Sequence, residues 1–182
     1  MKKDNFFVVD IGGLGMKIQS SFNVLKSLPQ VGETVNAFTH LHVREDALEL
    51  YGFLDESELN LFQLLIGISG IGPKSAMGIL GVEKVEKVKA AISEGRSELL
   101  TKASGIGKKT AERIVLELGG RLRQDGSRKI VGLMESDFDI ADALVNLGYT
   151  KSQAKEALSK VDSKISGVED RIKEALKFLK NA

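Results

Sequence analysis

LLIGISGIGPKSAMGIL, residues 64–80, and LLTKASGIGKKTAERIV, residues 99–115, are one stretch written twice at a constant offset of 35. Nine of the 17 positions are identical, including all of Ser-Gly-Ile-Gly. Such self-similarity fixes an architecture before any single residue does. Each copy reads as a helix, the Ser-Gly-Ile-Gly turn and a second helix. Pro73 suits the first position of the second helix. Gly70 with Gly72, and Gly105 with Gly107, can take positive φ and carry no Cβ, so a ligand can approach the backbone closely. The amides after each turn lie at a helix N-terminus, where N–H groups lack internal partners and the dipole favours anions.

The candidate contact residues are therefore Ser69, Gly70, Ile71, Gly72 and Lys74 in the first copy, and Ser104, Gly105, Ile106, Gly107, Lys108, Lys109 and Thr110 in the second. Ile71 and Ile106 can turn inward and lock each hairpin to its helices. The lysines add charge and Thr110 a hydroxyl. This chemistry is a backbone cradle for phosphate, which positions a polyanion without reading bases. An ordinary turn with a glycine cap explains one such hairpin equally well, since a lone Gly-x-Gly is weak. It explains two poorly. The motif resembles the helix–hairpin–helix of many DNA repair proteins.

Upstream, FFVVDI (6–11), MKIQSS (16–21), ETVNAFTHLHV (33–43) and ALELYGF (47–53) are rich in β-branched and aromatic residues. GGLG (12–15) and SLPQVG (27–32) punctuate them. Short strands at such spacing predict a small barrel or sandwich. The last two strands flank Arg44, Glu45 and Asp46. By composition Glu45 and Asp46 are a solvated turn. Asp55 with Glu58 predicts a capping box at the first helix.

Downstream, QDGSRKIVGLME (124–135) has weak periodicity and several breakers, and reads as a linker. A compact helical module follows. DFDIADALVNL ends at Gly148, which suits a C′ glycine. Thr150 with Gln153 and Ser166 with Glu169 predict two more capping boxes. Ala154, Ala157, Leu158 and Val161 mark one apolar face, and Val168, Ile172, Leu176 and Leu179 the next. Three helices in so short a stretch are marginal alone, and exposed apolar surface on them would belong to a partner.

The net charge of the 182 residues is only +1, but its distribution is uneven: −4 over 1–60, +4 over 61–125 and +1 over 126–182. The middle third is the candidate for phosphate contact. There is no cysteine, which excludes disulfides and thiolate metal sites. No apolar run approaches the ~20 residues that span a bilayer. Lys2 and Lys3 are followed by Asp4 and Asn5, and FFVV is too short for a signal-peptide core; a cytoplasmic chain is expected. GISGIGPKS comes near the P-loop pattern, but Pro73 stands where its lysine belongs, and in the second copy Lys102 replaces the first glycine. No nucleotide site is expected. His40 and His42 share one strand face; without cysteine or a clear third ligand, packing is the favoured role over a metal. A hairpin glycosylase would place a catalytic Asp after the hairpin, but Asp125 lies in a polar run. A hairpin enzyme using Glu45 and Asp46 as its own carboxylates is the alternative reading, although neighbours in a strand point to opposite faces.

With the β module, THLHVREDALELYGF (39–53), the doubled hairpin and LVNLGYTKSQA (144–154) in this order, nearly the whole chain resembles the RuvA family, the Holliday-junction-binding subunits of the bacterial RuvAB branch-migration machine. The resemblance implies an α+β multidomain chain without cofactor or catalytic site. Residues 1–54 would form an oligonucleotide-binding (OB)-fold-like barrel with an acidic pin, 55–123 a tandem helix–hairpin–helix domain, 124–135 a flexible linker, and 136–182 a three-helix, UBA-like domain that docks on the RuvB ATPase. It also implies a homotetramer or an octamer of two tetramers, the RuvC resolvase as a further partner, and a cytoplasmic, nucleoid-associated role in recombination and repair. DNA-backbone contact would fall on Ser69–Lys74 and Ser104–Thr110, with Arg113 one turn on. Glu45 and Asp46 become the acidic pin, directed at the junction centre. Arg44 can steady that turn or meet DNA. Leu144, Leu147, Gly148 and Tyr149 match the motor-binding domain, with Leu144 and Leu147 expected in its core. The family usually opens with a strand that precedes FFVVDI. Either the barrel here lacks that strand, or MKKDNFF covers part of the loss. Met16 also stands where an aromatic residue is usual.

Overall fold

The computed structural model describes residues 5–122, 127–162, 165 and 167–180, with Lys129 described by its backbone only. The chain divides into two compact units, Met1–Asp125 and Gly126–Ala182.

The first unit opens with β1 (Phe6–Ile11) and β2 (Leu14–Gln19), joined through Gly12 and Gly13, both at positive φ. Strand β2 ends earlier than MKIQSS predicted, because its two serines have other tasks. Ser20 Oγ donates to the Gly52 carbonyl at 2.7 Å. Ser21 caps α1 (Phe22–Ser27), its Oγ accepting from the Val24 amide at 3.3 Å. Strand β3 spans Phe38–Val43 and β4 spans Leu48–Phe53. The predicted strand from Glu33 therefore begins five residues late. Glu33 instead closes a turn, its carboxylate accepting from the Gln30 amide at 3.0 Å.

The sheet order is β1-β2-β4-β3: two antiparallel hairpins joined by a short parallel pairing of Ile18 with Leu50 and Gln19 with Tyr51. A Cβ on Gly52 would collide with Ile18, so this crossing requires glycine. Among the described residues β1 and β3 are edge strands, and no strand joins them to close a barrel.

Helix α2 (Glu56–Ile66) carries the sheet into the helical part. Its Phe62 is buried against Tyr51 and Phe53, with ring centroids 5.3 and 5.0 Å apart, and His40 meets it edge-on at 5.4 Å. These aromatic contacts add to the burial of large apolar area. The two histidines thus act as packing rings; burial, and then neighbouring His42, holds the His40 pKa below its ordinary value. Asp55 makes its half of the predicted capping box, accepting from the Glu58 amide at 2.8 Å. Glu58 itself turns inward and is buried. Its carboxyl pKa is pushed up to about 7, by burial first and then by Asp55, and among the described residues its Oε2 has no hydrogen-bond partner.

Helices α3 (Pro73–Leu80), α4 (Val85–Ser93), α5 (Ser97–Leu100) and α6 (Lys108–Leu118) complete the unit. Asn23 on α1 fastens them to the β part, donating to the carbonyls of Leu80 and Glu83 at 2.8 and 2.9 Å.

The second unit consists of α7 (Ser127–Asn146), α8 (Lys151–Lys160) and α9 (Val168–Lys180). The predicted linker is corrected here: residues 127–135 are helical, and Val131 and Met134 are buried. Residues 124–126 and the Ser166 cap lie outside the described residues. Ile140, Leu144, Ala154, Ala157, Leu158, Val161 and Ala175 form the core. The Thr150–Gln153 capping box is complete, with bonds of 3.2 and 2.9 Å. Val168, predicted on the buried face of α9, is exposed; the buried positions are Arg171 and Ala175. Arg171 donates to Asp137 at 2.6 and 2.9 Å and to the Ile165 carbonyl at 2.6 Å, binding α9 to α7 and to the loop between α8 and α9.

Candidate nucleic-acid interface

The two hairpins share their glycine dihedrals and their backbone hydrogen-bond pattern. Gly70 has φ +86° and Gly105 +80°, a region that costs an L-residue roughly 1–2 kcal/mol. Gly72 and Gly107, the helix caps, have φ −86° and −84° with ψ 169° and 168°. Ile71 and Ile106 are buried, and their amides donate to the carbonyls of Ile68 and Ala103 at 3.0 and 3.2 Å. The Gly72 carbonyl accepts from Ala76 and the Gly107 carbonyl from Ala111, both at 3.0 Å. Each inward isoleucine turns its neighbouring backbone outward.

Gly70 and Gly105 are required by conformation. Gly72 and Gly107 are not: φ is ordinary, and a Cβ at either position would meet nothing within 4 Å among the described residues. Glycine there keeps open a surface that the protein itself does not fill. The first-turn amides of α3 and α6 lack intrahelical acceptors by construction. Lys74, Lys108 and Lys109 are exposed around them and Thr110 is half-buried. Lys108 lies 4.0 Å from Glu112, a surface pair too loose to hold it. Arg113 is exposed, and its Nη1 donates to the Ser69 carbonyl of the other hairpin at 2.8 Å. The arrangement offers two N-terminal anion cradles ringed by cations, the chemistry of phosphate binding.

The acidic turn is also well defined. The Arg44 amide donates to the Ala47 carbonyl at 2.9 Å, just beyond the last pair of the ladder, Val43 with Leu48. Glu45 and Asp46 stand exposed at the tip. The Arg44 guanidinium lies along β4, 3.5 Å from Glu49. Glu49 also accepts from the Tyr51 hydroxyl at 2.9 Å, and burial together with that bond raises the Tyr51 pKa to about 12. Arg44 is thus linked to β4 by a surface pair. Sequence reasoning missed the apolar face of this hairpin: Leu41, Val43 and Leu48 are all exposed, Leu48 at 72%. The strict alternation of LHV was the available signal.

In the second unit Leu144 is fully buried, as expected. Leu147 is not: it is 68% exposed, correcting its expected place in the core. The chain turns out of α7 at Gly148, φ +100°, where the Tyr149 amide returns to the Leu144 carbonyl at 3.2 Å. That turn carries Leu147 past the end of the buried face, while Tyr149 packs against the core. Asp125, the residue weighed as a glycosylase acid, lies outside the described residues.

Comparison with known proteins agrees with this layout. Residues 1–52 match the RuvA N-terminal domain, 62–119 a SAM-like tandem helix–hairpin–helix, and 139–180 the RuvA C-terminal domain. The Holliday junction branch migration complex subunit RuvA of Thermoanaerobacter sp. (strain X514) is 42% identical over 177 residues, covering 96% of this chain and 91% of the relative. The corresponding subunit of Clostridium perfringens (strain ATCC 13124) is 41% identical, covering 96% and 92%. That of Prosthecochloris aestuarii is 38% identical, covering 96% and 91%. An N-terminal OB-like domain, a doubled hairpin domain and a small helical C-terminal domain, matched in order at this identity, establish that the chain belongs to the RuvA family.

Proposed function

We infer that this chain is a non-catalytic DNA-binding subunit that holds four-way (Holliday) junctions by their phosphate backbone and serves a branch-migration complex. The observation that carries this reading is the pair of open hairpins of like backbone, each with lysine beside it, within one compact unit. Binding would be independent of sequence and steep in salt, because each phosphate neutralised releases condensed counterions. The acidic pin would act by exclusion, its carboxylates repelling phosphates that approach its tip. The alternative, a hairpin enzyme with Glu45 and Asp46 as catalytic carboxylates, is not favoured: the two lie exposed on a turn.

A homotetramer, or two tetramers enclosing the junction, would array such cradles around four arms; the exposed Leu41, Val43 and Leu48 supply apolar surface for self-association. The C-terminal unit would dock on a RuvB-type ATPase through Leu147 and its neighbours, with the RuvC resolvase as a further partner of the complex.

The test is Lys108→Ala combined with Lys109→Ala. Junction affinity falls for every arm sequence, and the slope of log affinity against log salt flattens by about two contacts. Unchanged binding by the double variant would refute the cradle assignment.

A further inference from the structure

The two repeats are equal in backbone but unequal in chemistry. Position 108 of the second copy corresponds to Pro73 in the first, and 113 corresponds to Gly78. Pro73 opens α3 with no amide hydrogen and no charge, whereas Lys108 opens α6 with both. The first cradle therefore has one donor and one cation fewer than the second.

The packing of the two repeats against each other bears on this difference. Each repeat's second helix lies against the other repeat's hairpin. A Cβ on Gly78 would stand 3.4 Å from the Ser104 carbonyl, and in the mirrored contact Arg113 Nη1 bonds the Ser69 carbonyl at 2.8 Å. The same Nη1 lies 3.8 Å from where a Cβ on Gly70 would be, over the tip of the first hairpin. A guanidinium has five N–H donors in a plane, and the Ser69 bond uses one side of it.

We propose that Arg113, although carried by the second repeat, completes the phosphate clamp of the first: it fixes the Ser69 carbonyl and presents its charge beside Gly70, in place of what Pro73 lacks. The second clamp receives nothing in return, because its mirror position is Gly78. This rests on the proposed phosphate-binding reading of the hairpins.

The test is a double-mutant cycle on junction affinity, measured over a salt series. Arg113→Ala weakens binding about tenfold and lowers the salt slope by about one contact. Its effect shrinks to about threefold or less on a Lys74→Ala background, because the two share a phosphate site, and stays about tenfold on Lys109→Ala. Arg113→Lys, which keeps the charge, regains the slope. The melting temperature changes little, since Arg113 is exposed. Coupling to Lys109 with additivity to Lys74 overturns the assignment, as does a normal Arg113→Ala protein beside a weakened Lys109→Ala protein. Unchanged binding in all of these variants overturns the cradle reading, and this assignment with it.

Discussion

Glycine plays two separable parts in each hairpin, and substitution distinguishes them. At Gly105, φ +80° is the constraint, so Gly105→Ala is expected to cost roughly 1–2 kcal/mol and lower the melting temperature by a few degrees. At Gly107, open space is the feature. Gly107→Ser keeps a good helix cap and should leave stability within about 0.5 kcal/mol while weakening junction binding. Thermal melts beside binding isotherms separate the two; a destabilised Gly107→Ser protein would mean that the glycine serves the fold. Glu58 gives a pH prediction at the same scale. Its folded pKa, about 7, lies above the ordinary carboxyl value. The stability it contributes is therefore fully present below about pH 4.5 and is lost as pH rises through 7. The loss is on the order of 2 kcal/mol. Glu58→Gln should remove that dependence and be the more stable protein at pH 8, as read by denaturant unfolding at pH 5 and 8.

At the scale of elements, the ion pair of Arg171 with Asp137 is a buried polar tie between α9 and α7, with side chains only 4% and 9% exposed. Removing one partner leaves a buried charge, which typically costs about 3–5 kcal/mol. Asp137→Ala should therefore unfold α7–α9 in the full chain at a temperature where the hairpin domain stays folded; hydrogen exchange resolves the two. The pin is a second element with its own expected outcome. Glu45→Gln with Asp46→Asn should raise affinity for linear duplex and lower junction selectivity, and unchanged selectivity would reduce the pair to a soluble turn. The elements legible in the sequence were those with a repeated or periodic signal. The duplicated hairpins, the helix that Asp55 caps and the Thr150–Gln153 box could be read directly from residue spacing. Helix α1 could not: six residues give no period, and only Ser21 announces it. The start of α7 was hidden because Gly126 and Gly132 suggested a linker, yet Val131 and Met134 find burial and outweigh them. Leu147 was misplaced because helical spacing continued past the point where Gly148 turns the chain away.

For the whole molecule, charge separation along the chain fits the proposed division of labour: acidic residues in the β part, basic residues around the hairpins. The proposed contact residues could be named from type and spacing, but Arg113's reach to the other repeat could not, because sequence offset carries no information about which hairpin a helix faces. Together these parts are expected to select a crossover over a straight duplex. The most direct measurement is a competition between a four-way junction and linear duplex of the same arm sequences for the purified protein, at physiological salt. Strong preference for the junction, lost progressively as salt rises, is the expected result. Equal affinity for the two DNAs, at every salt concentration, would contradict it.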